Sequence, residues 1–270
     1  MAWTETTADG FSIRHDARDT DDVRDVAETV AAARDRLAGR FPRGIEGDLA
    51  IVVHDSALAL GLAQPYLPFA WLATAPAARR YLAGWYAQRE IHVLAPRVLR
   101  ARASAVAGSL EFLLLTPAAM YVHLLVAASN PDLPPPFTIG SFVRRQRWAW
   151  LAEGAAQYFS GQIAHVRPAI GRRLHEGGAP AFPPGPRDAM LLGGSIFDLL
   201  AEESGEQAAV SLATMPLAAG GADAALARAF PGRSVRDTEG VWRGHLARLA
   251  AAGAAAEPPA RPGRRSRARQ

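Results

Sequence analysis

The chain has no cysteine, which removes disulfide frameworks, thiolate metal sites and cysteine nucleophiles together. Nothing in it points to an oxidising compartment. Lysine is missing as well, so all 30 basic residues are arginine; with the alanine-rich texture, this points to genomic base composition more than to a particular chemistry. No internal repeat is visible. The first ten residues carry acids where a secretory leader would carry its basic segment, and no apolar run follows. A cleaved export signal is therefore not expected, and a cytoplasmic location is. The one long apolar run, residues 112–128, contains Pro117 and His123 and lacks close positive flanks, so it predicts a buried helix and no membrane span.

Acid is also missing from the C-terminal end, and this accounts for the overall net charge of +4. Residues 258–270 hold Arg261, Arg264, Arg265, Arg267 and Arg269 with no acid, so the rest of the chain is close to neutral. Proline and arginine without apolar periodicity predict a disordered tail over residues 251–270, whose one binding role would be a weak contact with a polyanion.

About half of the residues are apolar, enough for a substantial core without covalent staples. Residues 1–10 read as a flexible terminus. Residues 11–15 alternate like a strand, and Val23, Val26, Val30 and Leu37 recur at helical spacing until Gly39. Residues 49–54 are a compact β-branched strand, residues 56–83 a mixed connection with three prolines, and residues 84–96 an edge or hairpin strand. His54 and His92 fall on strand patterns, where histidine is usually at the surface or hydrogen-bonded. From residue 97 the pattern is helical, interrupted by a stiff loop at 130–136 and by a proline-, glycine- and arginine-rich stretch at 168–187 that predicts an irregular surface loop or lid. Further helices are expected at 188–200, 207–215, 222–230 and 235–249. The fold class is α+β: a small mixed sheet lobe (11–96) followed by a mainly helical lobe (97–250), one domain in all.

Two helical segments carry the chemistry. The first, residues 111–129, is apolar on every side and encloses one histidine, His123. The second, residues 147–161, has Trp148, Leu151, Ala155 and Phe159 on one face and Glu153 on the other, either solvated or aimed into a cleft.

The order of elements resembles the gluzincin metallopeptidases, the thermolysin-like or peptidase-MA-like group. The likeness rests on Gly84 followed by Ile91, Val93 and Pro96, then the histidine-bearing apolar helix, then Trp-Leu-x-Glu-Gly-x-Ala-x-Tyr-Phe-Ser-Gly over residues 150–161. In that family, H-E-x-x-H places two zinc ligands and a general base on one helix, and a second helix supplies a glutamate ligand. The resemblance puts His123 at the first histidine and Glu153 at the third ligand, as a remnant metal site. It puts Leu124 at the general base and Ala127 at the second histidine, neither of which binds metal or accepts a proton. The implied protein has thermolysin-like architecture but no catalytic residue and no expected cofactor, with zinc as the one metal the remnant could take. It would act by binding a peptide or protein in the cleft. Two alternatives stand beside it: an active zinc peptidase with substitute ligands from His165 or His175, and a binding protein that shares only the fold, with His123 a satisfied core residue.

Overall fold

The computed structural model describes residues 3–135, 138–217 and 220–256. Its first part alternates strands and helices: β1 (Trp3–Ala8), β2 (Phe11–Asp16), α1 (Thr20–Leu37), β3 (Ala50–His54), α2 (Ala57–Ala63), α3 (Leu67–Ala73), β4 (Gly84–Tyr86) and β5 (Glu90–Leu94). The rest is helical: α4 (Pro96–Arg102), α5 (Ser109–Leu114), α6 (Thr116–Ser129), α7 (Ile139–Arg147), α8 (Ala149–Ser160), α9 (Ile163–Glu176), α10 (Pro186–Ser204), α11 (Glu206–Thr214), α12 (Gly221–Ala229) and α13 (Val235–Ala256).

The five strands form one mixed sheet in the order β1-β2-β3-β5-β4. The inner pairs, β2 with β3 and β3 with β5, are parallel, and both outer pairs are antiparallel. Alternation sends Ile13, Ile51, Val53, Ile91 and Val93 to one face, where all are buried against α1 and α6. Gly84 follows from that packing. A Cβ there would lie 2.8 Å from Thr116 Cγ2 and 3.0 Å from Met120 Cγ of α6.

Four expectations from the sequence need correction. Residues 3–8 are not a loose terminus: Asp9 and Gly10 both take positive φ (51° and 82°) and turn the chain into a hairpin, pairing Trp3 with Asp16 and Ala8 with Phe11. The segment 111–129 is two helices, because Pro117 sits in the first turn of α6, where its missing N–H and fixed φ start a helix and end the one before. The expected lid at 168–187 is half helix. α9 runs through Pro168, its buried Val166, Ala169 and Ile170 outweighing the lost backbone bond, and the Arg173–Asp188 ion pair (2.7 Å) ties it to α10. Residues 251–256 continue α13 where a disordered tail was expected, since its alanines favour helix. The arginines of residues 258–270 lie outside the described residues. No helix among the described residues is long and apolar enough to cross a membrane.

The helical lobe is organised on α8 and α10, which cross in contact. A Cβ at Gly154 would stand 2.6 Å from the carbonyl oxygen of Gly193, and one at Gly193 would meet the Gly154 nitrogen at 2.9 Å. Gln157 then clamps the pair, donating from Nε2 to Ala189 O (3.0 Å) and accepting from the Gly194 amide (2.9 Å).

Candidate functional site

β4, α6, α7 and α8 converge on one buried cluster. α6 is enclosed on every side, with each residue from Thr116 to Val126 buried, as its all-round apolar sequence requires. His123 is 4% exposed and stacks on Tyr86 of β4, ring centroids 4.6 Å apart and planes 6° from parallel. Glu153, in the middle of α8, faces α6 and is 6% exposed, so it is not the solvated residue its helix face allowed. The two residues singled out in the sequence are therefore neighbours: His123 Nε2 lies 3.5 Å from Glu153 Oε2. The imidazole nitrogen makes no hydrogen bond.

The residue that completes the cluster is Arg145, near the end of α7. Trp148, with φ −106° and ψ 25°, bends the chain between α7 and α8 and lets Arg145 reach back to Glu153. Its Nη2 donates to Glu153 Oε1 in a short ion pair, and its Nε donates to the Tyr86 hydroxyl at 3.2 Å. The guanidinium carbon stands 4.5 Å from the Trp85 ring centroid and 5.6 Å from that of Tyr86, so two successive side chains of the edge strand β4 flank it. Arginine is suited to this place because its fork satisfies a carboxylate and a hydroxyl while its plane lies on an aromatic ring.

The charges are fixed by these contacts. Burial works to raise the Glu153 carboxyl, but Arg145, followed by His123, outweighs it and holds the pKa down at about 2. His123 moves down because burial penalises its charged form more than Glu153 rewards it. For Arg145, burial opposes the charge, yet Glu153 and Tyr86 together leave its pKa raised. The cluster is thus one carboxylate, one guanidinium and one neutral imidazole, all removed from water.

These residues do not fit zinc. A catalytic zinc takes three protein ligands and keeps a fourth position open; here His123 and Glu153 are two, and Leu124 and Ala127 offer none. The carboxylate is already neutralised by a fixed cation, whose charge would repel a metal ion brought beside it. Leu124 and Ala127 instead line an open groove of about 330 Å³, opposite Ile45, Glu46, Gln88 and Arg89. Sequence reasoning missed Arg145. The available signal was its spacing of three from Phe142 and Trp148, which places an arginine on the apolar stripe of α7.

His165 and His175 lie on α9. His175 is exposed and its Nδ1 is 2.6 Å from Gly171 O. Among the described residues, one group of three His, Asp or Glu side chains is close enough to share a metal ion, and it does not include His123 or Glu153. It comprises Asp198, Glu202 and His245, whose ligand atoms lie within 4.8 Å of one another and could hold a cation. There His245 Nε2 is 3.0 Å from Asp198 Oδ2, and Arg248 Nη2 stands 3.1 Å from Nδ1, where a metal would have to displace it.

The strand histidines are buried and paired. His54 Nε2 meets His92 Nδ1 at 3.1 Å, and His92 Nε2 meets Glu90 Oε2 at 3.2 Å. Burial, helped by His92, pushes His54 down to about 4.

No family model, curated protein or solved structure matches this chain.

Proposed function

We propose that the chain is a non-catalytic relative of the gluzincin metallopeptidases, with thermolysin-like architecture, that acts by binding a peptide or protein segment in the groove beside α6. The observation that carries this reading is the Arg145 guanidinium bonded to Glu153. A cation built into the chain stands against the carboxylate that would otherwise serve as a metal ligand, so the charge a metal would supply comes from a side chain that activates no water. The other two positions of the motif support the same view. Leu124 and Ala127 present hydrocarbon to a groove whose rim carries Arg43, Glu46, Gln88 and Arg89, an apolar floor with polar groups along its edge that suits a short peptide segment.

A peptide display library selected on the full chain tests the reading. Wild type enriches a peptide class and returns it uncleaved, and Ala127→Trp, which fills the groove from a half-buried position, abolishes the enrichment. Recovery of cleaved peptides, or enrichment indifferent to Ala127→Trp, overturns it.

A further inference from the structure

Away from the groove, the neighbouring helices α2, α3 and α7 share an unusual composition. Each shows a pair of large apolar side chains one helical turn apart: Leu58 and Leu62 on α2, Phe69 and Leu72 on α3, Ile139 and Val143 on α7. All six are between 58% and 77% exposed. The helices touch one another. Tyr66 stacks on Phe142 at 5.2 Å, Phe69 meets the same ring edge-on at 6.4 Å, and a Cβ on Gly61 would lie 3.2 Å from Trp71. Scattered apolar residues at a surface need no explanation, but six in turn-spaced pairs on three neighbouring helices call for one.

The segments that carry the patch hold charge of one sign, and the acids flanking them are already engaged, Asp55 with Arg18 and Asp132 with the Leu217 amide. Residues 56–78 contain no charged side chain, and residues 133–152 contain three arginines and no acid. Of those three, Arg145 is buried with Glu153, while Arg144 and Arg147 are exposed on α7 next to Val143, with one nitrogen of Arg144 donating to Asp132 O at 3.4 Å and the rest of its guanidinium at the surface. A protein partner is ordinarily met by a rim of mixed polar groups that specify the pairing. Aliphatic and aromatic tips beside arginine alone are the arrangement of a helix face that enters the headgroup boundary of an anionic bilayer.

We infer that this face docks the protein on an anionic lipid surface, with Leu58, Leu62, Phe69, Leu72, Ile139 and Val143 inserted among the acyl chains and Arg144 and Arg147 on the phosphates. The association is peripheral, because no helix among the described residues is long and apolar enough to cross a bilayer.

Sedimentation with phosphatidylcholine vesicles, with and without phosphatidylglycerol, tests it. The full chain sediments with phosphatidylglycerol vesicles, and salt weakens the binding. Leu62→Glu/Leu72→Glu lowers the partition at least roughly ten-fold without moving the melting temperature, since both positions are exposed. Arg144→Ser/Arg147→Ser lowers it several-fold. A chain ended after Ala256, which lacks the terminal arginines, still binds. Because the chain has no cysteine, Leu62→Cys carrying a polarity-sensitive fluorophore reports insertion directly, as a blue shift on adding vesicles. Three results overturn the inference: no sedimentation of the full chain; binding lost with the tail but kept in Leu62→Glu/Leu72→Glu; or a dimer dissociated by that double substitution with no vesicle binding, which would assign the face to a second copy of the chain.

Discussion

Arg145 and Glu153, eight residues apart in sequence, form an ion pair whose side chains are 5% and 7% exposed, with Tyr86 and His123 closing it off from β4 and α6. A buried pair of this kind draws little net stability from its own attraction, but it is costly to break.

Arg145→Met is therefore expected to lower stability by about 3–5 kcal/mol, because the Glu153 carboxylate is left in an apolar site without its counter-charge. Arg145→Met/Glu153→Leu removes both charges and is expected to regain most of that loss. Urea unfolding of the two variants checks both values. Equal destabilisation in the single and double variants would mean that the pair is not charged and buried as described.

Acid should be felt first at the buried histidines, the stacked pair His54 and His92 together with His123. His54 titrates near 4 in the fold against an ordinary 6.5, and His92 is also lowered, with Glu90, Asp55 and Arg14 as the charged groups around them. A depressed histidine contributes stability at pH above about 6.5, and the contribution fades as pH falls from there to about 4. Glu153, at about 2 in the fold against an ordinary 4.5, then loses its own contribution between those values. Melting temperature followed from pH 8 to pH 3 is expected to begin falling below about 6.5. His54→Gln should flatten that upper part of the curve. An unchanged profile in the variant would place the acid sensitivity elsewhere.

Gly154→Ala should destabilise by about 1–3 kcal/mol or more, since its Cβ would press on the Gly193 backbone and force α8 from α10. Gly161, which ends α8 at φ 88° with nothing within 4 Å of its Cβ, is the control for a purely conformational cost. Thermal unfolding of the two alanine variants separates overpacking from backbone strain, and equal shifts would argue against the close crossing.

What the sequence made legible follows from how local each signal is. The strands expected at 11–15 and 49–54, the edge or hairpin strand expected at 84–96, which is the β4–β5 hairpin, and the helix α1 were readable from alternation and helical spacing, because one face of each meets the core. The enclosure of His123 was readable from a helix apolar on all sides. That His123 and Glu153 meet was accessible only through the family resemblance, since nothing local in α6 or α8 orients one toward the other. Arg145 stayed hidden because an arginine on a short helix reads as solvated until the bend at Trp148 turns it inward. α9 was misread because proline and glycine density was weighed above the apolar positions Val166, Ala169 and Ile170, which are buried with it. The β1 hairpin was missed although Asp9-Gly10 is a turn signal in its own right.

The proposed function rests on the guanidinium of Arg145 standing against Glu153 where a gluzincin would hold a metal ion. Zinc content after dialysis against zinc, measured in a His245→Ala background so that the Asp198 and Glu202 cluster does not contribute, tests it most directly. The account predicts no stoichiometric zinc in that protein, and zinc uptake once Arg145→Met, Leu124→Glu and Ala127→His are combined. Stoichiometric zinc with Arg145 in place, lost on His123→Ala, would contradict it.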